Sequence, residues 1–516
     1  MAYEVDGRLA HVLERGLLIV GVKTDYPPWG MLDDQGAIVG LEADLAHDLG
    51  RRLGIAVQLA PVTTANRQQR LEQGHVDIVI ATLGATLERH AISDLIQPYY
   101  YTSGVHLLAH NDLLFTDWGE LRGRPVCLTE GSYYNRALSE RFLIVPVAFS
   151  GVRDTQLALR DGRCVGWAYD DTVLAQTVSE DGWKDYSLSL SPILQTPWAI
   201  AVRKGEGDRS LGRFVSDSVA DWHRSGYLLE RQRHWGLPGT RFLNEQHMRW
   251  RAVDSAGELL CQRQADGYFP QDCLRGELLA GSTSQALTLP PWVMQLKVSV
   301  GLDLGALFDP YYRSRLLTGV WLTLAISVVS VVGALLTGVV LVVAEHRARR
   351  GVWLWCIRAP SRMLVACARM TPPILQLYIV FFGLSSLLSN YLGITLSSFV
   401  VASVVFSVYA GASNAAILLP ALIRSQQADP QASLSTLLIR AVEQTYESLV
   451  SIMVNIVKAA GMASTIALPE VISAVNGIIS EGGDATSLMT LLLVFYFSFV
   501  LVVMALLNLL KRWVAP

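Results

Sequence analysis

The sequence predicts a soluble α/β half followed by an all-α bundle of about five membrane-spanning helices. Three observations carry this. The chain changes solvent partway: up to about Val300 it is charged and dotted with aromatics, whereas Leu316–Ala344, Thr371–Ile423 and Ala485–Leu510 contain no Asp, Glu, Lys or Arg. A bilayer core needs roughly 20 apolar residues per helix, so the outer stretches span once and the middle one twice. Upstream, short β-branched runs alternate with helical patterns, the signature of parallel α/β sheets. At 516 residues the chain also exceeds what one core can hold.

In the soluble half, Leu17–Val22 (LLIVGV) is a buried-strand run, and Lys23–Trp29 (KTDYPPW) is the loop it feeds. Leu41–Leu53 places apolar residues at helical spacing. Val76–Leu83, Val126–Leu128 and Val165–Tyr169 read as further strands, enough for two lobes before Gly236. Met1–Arg15 forms a lead-in. Lobe 1 takes about 16–105 and 200–235, and lobe 2 about 110–195. Residues 236–309, polar and aperiodic around Cys261 and Cys273, read as a linker or small insert, and 310–516 as the membrane domain.

The membrane half follows the positive-inside rule. Arg347, Arg349, Arg350, Arg358, Arg362 and Arg369 lie between the first two spans against one acid, Glu345. The third-to-fourth loop holds Arg424 and Arg440 beside Asp429, Glu443 and Glu447. The fourth-to-fifth holds only Glu470, Glu481 and Asp484, and Lys511 and Arg512 follow the last span. Five spans then put the basic loops in the cytoplasm and the soluble half outside. Met1–Arg15 has no apolar h-region, so it does not read as a secretory signal. Either a leader was removed or translation starts upstream; the alternative is a cytoplasmic soluble half.

A net charge of −3 and the lack of a Lys/Arg block give no reason to expect nucleic acid. The ten His and six Cys show no CxxC or HExxH spacing, so no metal is expected. Cys127 and Cys164 border neighbouring predicted strands and form a disulfide candidate, which would need an oxidising compartment. The alternative is two buried thiols.

Several linked segments resemble the extracellular solute-binding proteins for amino acids: RGLLIVGVKTDYPPWG, GLEADLAHDLGRRLGI, NRQQRLEQGHVDIVIATLGATLER, VCLTEGS and VGWAYDD. The resemblance implies a two-lobed, periplasmic-binding-protein-like fold of type II, and the cysteine placement is similar to the polar and acidic amino acid branch. Thr318–Trp513 is similar to permease subunits of polar amino acid ABC importers, through TGVWLTLAIS, RMTPPILQLYIVFFGL and NIVKAAGMASTIALPE.

An amino acid zwitterion needs a cation, an anion and an apolar clamp. Arg89, in the match to the family's TxxR motif, becomes the carboxylate ligand, because a guanidinium fork engages both oxygens. Thr86 and the backbone at Gly84 add donors; the family often has a hydroxyl at the Gly84 position. Asp170, at a strand's carboxyl end, becomes the ammonium ligand, although Asp171 could exchange roles with it. Tyr26 and Trp29 are candidate stacking rings. Gly131, Ser132 and Tyr133 are read as a helix start offering N–H groups. Asn66 and Arg67 resemble an NR pair that reads the ligand's side chain, with a solvated Arg67 as the alternative.

The permease match departs at one place. Permeases of this type touch their ATPase through a cytoplasmic EAA…G loop, and Ile423–Val454 contains no such run. Ala415–Leu419 also lacks the family's Glu and Arg, while Lys458, Pro469 and Glu470 match. Lys458 is the one base inside a span, a position that usually marks a cavity or partner. No Walker A sequence occurs, so ATP would be bound and hydrolysed by a separate subunit, and this chain is expected to hold no cofactor. The expected partners are a polar amino acid, an ABC ATPase, the bilayer, and a second permease chain as homodimer or heterodimer. A membrane-anchored receptor is the second reading, and an enzyme using Asp170 and Glu88 the third.

Overall fold

The computed structural model describes residues 5–274, 289–348, 355–392 and 394–514. The loop bases Arg349 and Arg350 and residues 275–288 of the expected linker lie outside these, as do the side chains of Arg358 and Arg512. The chain divides into two compact units, Met1–Thr288 with Gly477–Gly483, and Leu289–Asn476 with Asp484–Pro516.

Unit 1 is built on twelve strands: β1 (Leu17–Lys23), β2 (Asp25–Tyr26), β3 (Gly30–Leu32), β4 (Ile38–Val39), β5 (Ala56–Val62), β6 (Ile78–Val79), β7 (Ser93–His110), β8 (Pro125–Thr129), β9 (Val145–Phe149), β10 (Gly166–Asp170), β11 (Tyr186–Leu188) and β12 (Ile193–Arg203). Nine form one sheet in the order β5-β1-β6-β12-β7-β10-β8-β9, with β11 paired to β7; β2, β3 and β4 form a separate small sheet. The β1–β5, β1–β6, β8–β9 and β8–β10 pairs are parallel. The long strands β7 and β12 run antiparallel from Ser93↔Arg203 in lobe 1 to Val105↔Ile193 in lobe 2. These two strands hold both lobes in one hydrogen-bonded frame.

The α-helices described in residues 5–274 are α1 (Gly7–Arg15), α2 (Leu41–Leu53), α3 (Arg67–Glu72), α4 (Leu87–Ile92), α5 (Asn135–Arg141), α6 (Val152–Arg160), α7 (Asp171–Ser179), α8 (Ser210–Ser225), α9 (Tyr227–His234) and α10 (Arg241–Arg251). The expected lead-in is thus a helix, and it is tied down. Asp6 and Ser210 exchange hydrogen bonds at the α8 start. The buried Asp77 carboxylate accepts from Arg8 Nε at 2.7 Å, Arg15 Nη2 at 2.5 Å and the Ile19 amide at 2.7 Å.

The first part of the expected linker is likewise packed. Cys261 and Cys273 are disulfide-bonded and sit in one apolar cluster with Trp250, Phe269 and Ala220 of α8. Cys127 and Cys164 form the other disulfide. It ties β8 to the approach to β10, as their parallel pairing allows.

Unit 2 is helical: α11 (Pro291–Val300), α12 (Pro310–Ala348), α13 (Trp355–Met370), α14 (Pro373–Tyr378), α15 (Ser385–Leu392), α16 (Ser398–Ala428), α17 (Leu434–Ala459), α18 (Val471–Glu481, whose residues from Gly477 on group with unit 1) and α19 (Ala485–Val514). Among the described residues, four helices are long and apolar enough to cross a membrane, or five if the bent pair Arg362–Met370 and Pro373–Ser389 counts as one span. A π-helical stretch, Ile379–Leu384, joins α14 to α15. Small residues form the α12–α16 seam. A Cβ on Gly338 would lie 2.8 Å from Asn414 Cβ, and one on Gly411 would lie 2.6 Å from Thr337 Cβ. Such seams let apolar helices approach where burial from water supplies no driving force. Asn414 adds a hydrogen bond to the Ala334 carbonyl at 3.1 Å. Only Asp429–Ser433 joins α16 to α17, where Ser433 caps the second helix through the Thr436 amide.

The Asp77 cluster yields a stability prediction. Asp77→Ala leaves two arginines and a buried amide without their acceptor. We expect a loss of about 2–3 kcal/mol, reduced from the fully buried case because both arginines reach solvent. Chemical denaturation should show the lowered midpoint, and an unchanged midpoint would refute the role.

Candidate functional site

The cleft between the lobes is assembled from strand ends and the turns that follow them. β1 is apolar until its last residue, Lys23, which is completely buried. The Lys23 ammonium lies 3.9 Å from the centre of the Tyr26 ring, 3.2 Å from the Tyr169 hydroxyl and 3.7 Å from Asp25. β10 ends at Asp170, whose Oδ2 accepts a hydrogen bond from the Tyr26 hydroxyl across the cleft. Asp171 faces elsewhere: its carboxylate takes the Ser103 hydroxyl at 2.6 Å and the Gly104 amide at 3.0 Å, pinning β7. Of the two adjacent acids, Asp170 thus meets Tyr26 and Asp171 is taken up by β7.

Arg89 sits on α4, which Thr86 caps by accepting the Arg89 amide at 3.4 Å. Its guanidinium is buried, donating to the Gly84 carbonyl at 3.0 Å and, from lobe 1 to lobe 2, to the Gly131 carbonyl at 2.7 Å. Gly84 allows a close approach. A Cβ there would lie 2.8 Å from Tyr133 Cδ1, so the Tyr133 ring occupies the space a side chain at 84 would need. The Tyr133 hydroxyl is held by the Leu194 carbonyl at 3.0 Å. Gly131, at φ +79°, similarly abuts the backbone of Thr64 and Ala65.

Two expectations are corrected, and the alternative offered for Arg67 falls. The turn Gly131–Tyr133 does not open a helix: α5 starts at Asn135, and the Ser132 amide bonds back to the Thr129 carbonyl at 3.3 Å. Trp29 is packed edge-on against Tyr101 and Trp198, with ring centres 4.4 and 4.7 Å away, so it serves the aromatic core. Arg67 is buried rather than solvated, donating to the carbonyls of Ala81 and Thr82. Its neighbour Asn66 uses its side chain on the Thr63 amide at 2.9 Å, closing the turn before α3. In unit 2, Lys458 is on an exposed face of α17, whereas buried Glu470 caps α18 through the Ile472 and Ser473 amides.

Sequence reasoning missed Lys23 and Glu42. Glu42 is fully buried, accepting the Tyr100 hydroxyl at 2.5 Å and the Thr82 amide at 2.6 Å. A signal existed in both cases: a charge ending an apolar strand run, and a charge among the apolar positions that open α2.

Burial sets the electrostatics. It pushes the Asp170 carboxyl up to about 6 against the Tyr26 hydrogen bond and the Lys23 and Arg67 charges, and it raises Glu42. It lowers Lys23 and Arg67, and brings Arg89 down to about 9, with Arg67 adding to that effect. Arg89 and Asp170 are thus a cation and an anion from opposite lobes, both buried at the cleft through their contacts with Gly131 and Tyr26. Such a pair can bind a zwitterion's two ends.

Residues 18–238 match the family of bacterial extracellular solute-binding proteins, family 3. The chain is 27% identical over 233 residues to the L-cystine-binding protein TcyJ of Escherichia coli, covering 45% of this chain and 86% of that protein. It is 25% identical over 233 residues to the ABC transporter glutamine-binding protein GlnH of Bacillus subtilis, covering 44% and 84%. Among solved structures, a mutant ArgBP from T. maritima aligns at 25% identity and TM-score 0.42, covering 45% of this chain and 99% of that one.

Two predictions follow from the geometry. If Asp170 holds a ligand ammonium it must be ionised, and its pKa is raised to about 6. Affinity should be flat above that value and fall up to about tenfold per pH unit below it, with proton release on binding. Calorimetry from pH 5 to 7.5 in two buffers of different ionisation enthalpy would read both; a level profile would remove Asp170 from the ammonium site. For folding the sign is opposite: a carboxyl with raised pKa favours the folded state at low pH, and that contribution is lost as pH rises through about 6. The second concerns Gly84→Ser, which should push Tyr133 aside and weaken ligand binding about tenfold. Adding Tyr133→Ala should recover part of the loss, and strictly additive effects would refute the contact.

Proposed function

We propose that this chain is a subunit of an ABC importer whose two-lobed domain captures a polar or acidic L-amino acid outside the membrane. Its helical unit would then pass the ligand across, powered by a separate ATPase subunit. One observation carries the capture step: two buried groups of opposite charge each reach across the cleft, Arg89 of lobe 1 to the Gly131 carbonyl of lobe 2 and Asp170 of lobe 2 to the Tyr26 hydroxyl of lobe 1. Arg89 would clamp the carboxylate and Asp170 the ammonium. Tyr26 would orient Asp170, while Lys23, Arg67 and Glu42 offer charges to a polar side chain. The names of the similar proteins, binders of cystine and glutamine, support an amino acid ligand and a non-enzymatic role.

Passage rests on the long apolar helices and on the loop charges, which favour a multi-pass bacterial inner-membrane protein with its binding domain outside. Binding across two lobes favours the closed form, which would be the form that delivers ligand.

A second reading has its own observation. The Asp429–Ser433 turn joins α16 to α17 directly, leaving no room there for a docking helix of the EAA type. This favours a non-coupling partner in a heteromeric permease, or a membrane-anchored amino acid receptor.

Titration of the full chain in detergent with the twenty amino acids, alongside Arg89→Ala, tests the capture step. We expect micromolar binding of a polar or acidic amino acid by the wild type, weakened at least a hundredfold by loss of a buried charge-assisted pair, about 3 kcal/mol. Binding unaffected by Arg89→Ala would sink the site. Ligand-stimulated ATPase activity with a co-encoded subunit would separate the importer from the receptor.

A further inference from the structure

Unit 2 carries a cavity at the bend that follows α13. α13 ends at Met370 because Pro372 and Pro373 follow, and the chain restarts with Pro373 in the first turn of α14. The resulting bend between Arg362–Met370 and Pro373–Ser389 is 112°. If the second segment runs along the membrane normal, as the membrane reading above requires, α13 lies close to the membrane plane. It lies at the end of the bundle where the basic loop emerges.

α13 is suited to that position. Ala368 is buried against the bundle, while Met363 is 69% exposed, Leu364 45% and Met370 85%. Outward apolar side chains interleaved with arginines are the pattern of a helix lying in a lipid interface. Beneath it is a cavity of about 400 Å3, lined by Glu345 of α12, Arg362, Val365 and Arg369 of α13, and Ala416 and Leu419 of α16. The Arg362 guanidinium is committed to Glu345, with Nε at 2.9 Å and Nη2 at 2.8 Å from the same carboxylate oxygen. Arg369 lines the same cavity and is exposed. Among the described residues that line the cavity, two guanidinia and one carboxylate give a net charge of +1 over apolar walls.

We propose that this cavity binds the headgroup of a monoanionic phospholipid of the phosphatidylglycerol type, with Arg369 on the phosphate and the Arg362–Glu345 pair fixing the floor. A monoanion matches the net charge, and the apolar walls of Val365 and Leu419 suit the start of the acyl chains. The proposal rests on the membrane placement given above and adds a defined lipid site to it.

The test is native mass spectrometry of the full chain in detergent, doped with equal amounts of dioleoyl phosphatidylglycerol and dioleoyl phosphatidylcholine. We expect one phosphatidylglycerol retained in preference to phosphatidylcholine. Arg369→Ala should reduce its retention about fivefold, the attraction of one basic residue at an anionic surface, and Arg369→Lys should keep most of it. Equal retention of the two lipids, or no effect of Arg369→Ala, overturns the site while leaving the membrane placement intact. Displacement of the lipid by millimolar glycerol phosphate would mean a soluble anion site and also overturns it. Loss of a co-purifying ATPase in Arg369→Ala with phosphatidylglycerol still retained would mean protein docking, again against the proposal. A chain that fails to enter liposomes at all sinks the membrane reading instead.

Discussion

Five ionisable side chains withdrawn from water in one cleft constrain everything around them in unit 1. Lys23, Glu42, Arg67, Arg89 and Asp170 are each almost inaccessible, and each such burial costs several kcal/mol unless met by partners. The fold supplies those partners from fixed backbone as much as from opposite charges. Arg67 and Arg89 each donate to two carbonyls, and Glu42 takes an amide and a phenol. Carbonyl acceptors do not move independently of the sheet, so the guanidinia are held where β6, α4 and the Gly131 turn place them. The charged groups of the cleft are thereby fixed in place before anything binds, as the capture proposed above would need.

That preorganisation depends on β7 and β12. Strands that run through both lobes make each lobe's position a matter of ladder register, and Asp171 locks the lobe 2 half by capturing Ser103 and Gly104. Lobe contact is then close enough that single atoms matter. Gly84 gives way to the Tyr133 ring, and Gly131 gives way to Thr64 and Ala65. The small residues at these positions permit closure in the way that small residues on α12 and α16 permit helix approach in unit 2. In both units the close contact is bought with missing side chains.

Much of the architecture was legible because it follows from local pattern. Leu17–Val22 became β1, Leu41–Leu53 became α2, and the charge-free stretches became the long helices. Legibility failed where a residue's role depends on distant chain. α1 looked like a lead-in because its anchors, Asp77 and Ser210, lie far along the sequence. The segment around Cys261 looked like a linker because its core is borrowed from α8. Arg67 could be read as solvated, since nothing local shows that the Ala81 and Thr82 carbonyls would close over it.

The sequence by itself determined the division into an α/β half and an apolar helical half and the positions of the main strands. These are consequences of periodicity and of charge exclusion from a bilayer, which act over a few residues at a time. Tertiary structure alone decided which of Asp170 and Asp171 faces the cleft, that Trp29 belongs to the core, that Lys23 and Glu42 join the buried cluster, and that α13 turns across the bundle to roof a cavity. Each of these depends on desolvation by elements remote in sequence, and burial is a property of the assembled fold rather than of any segment within it.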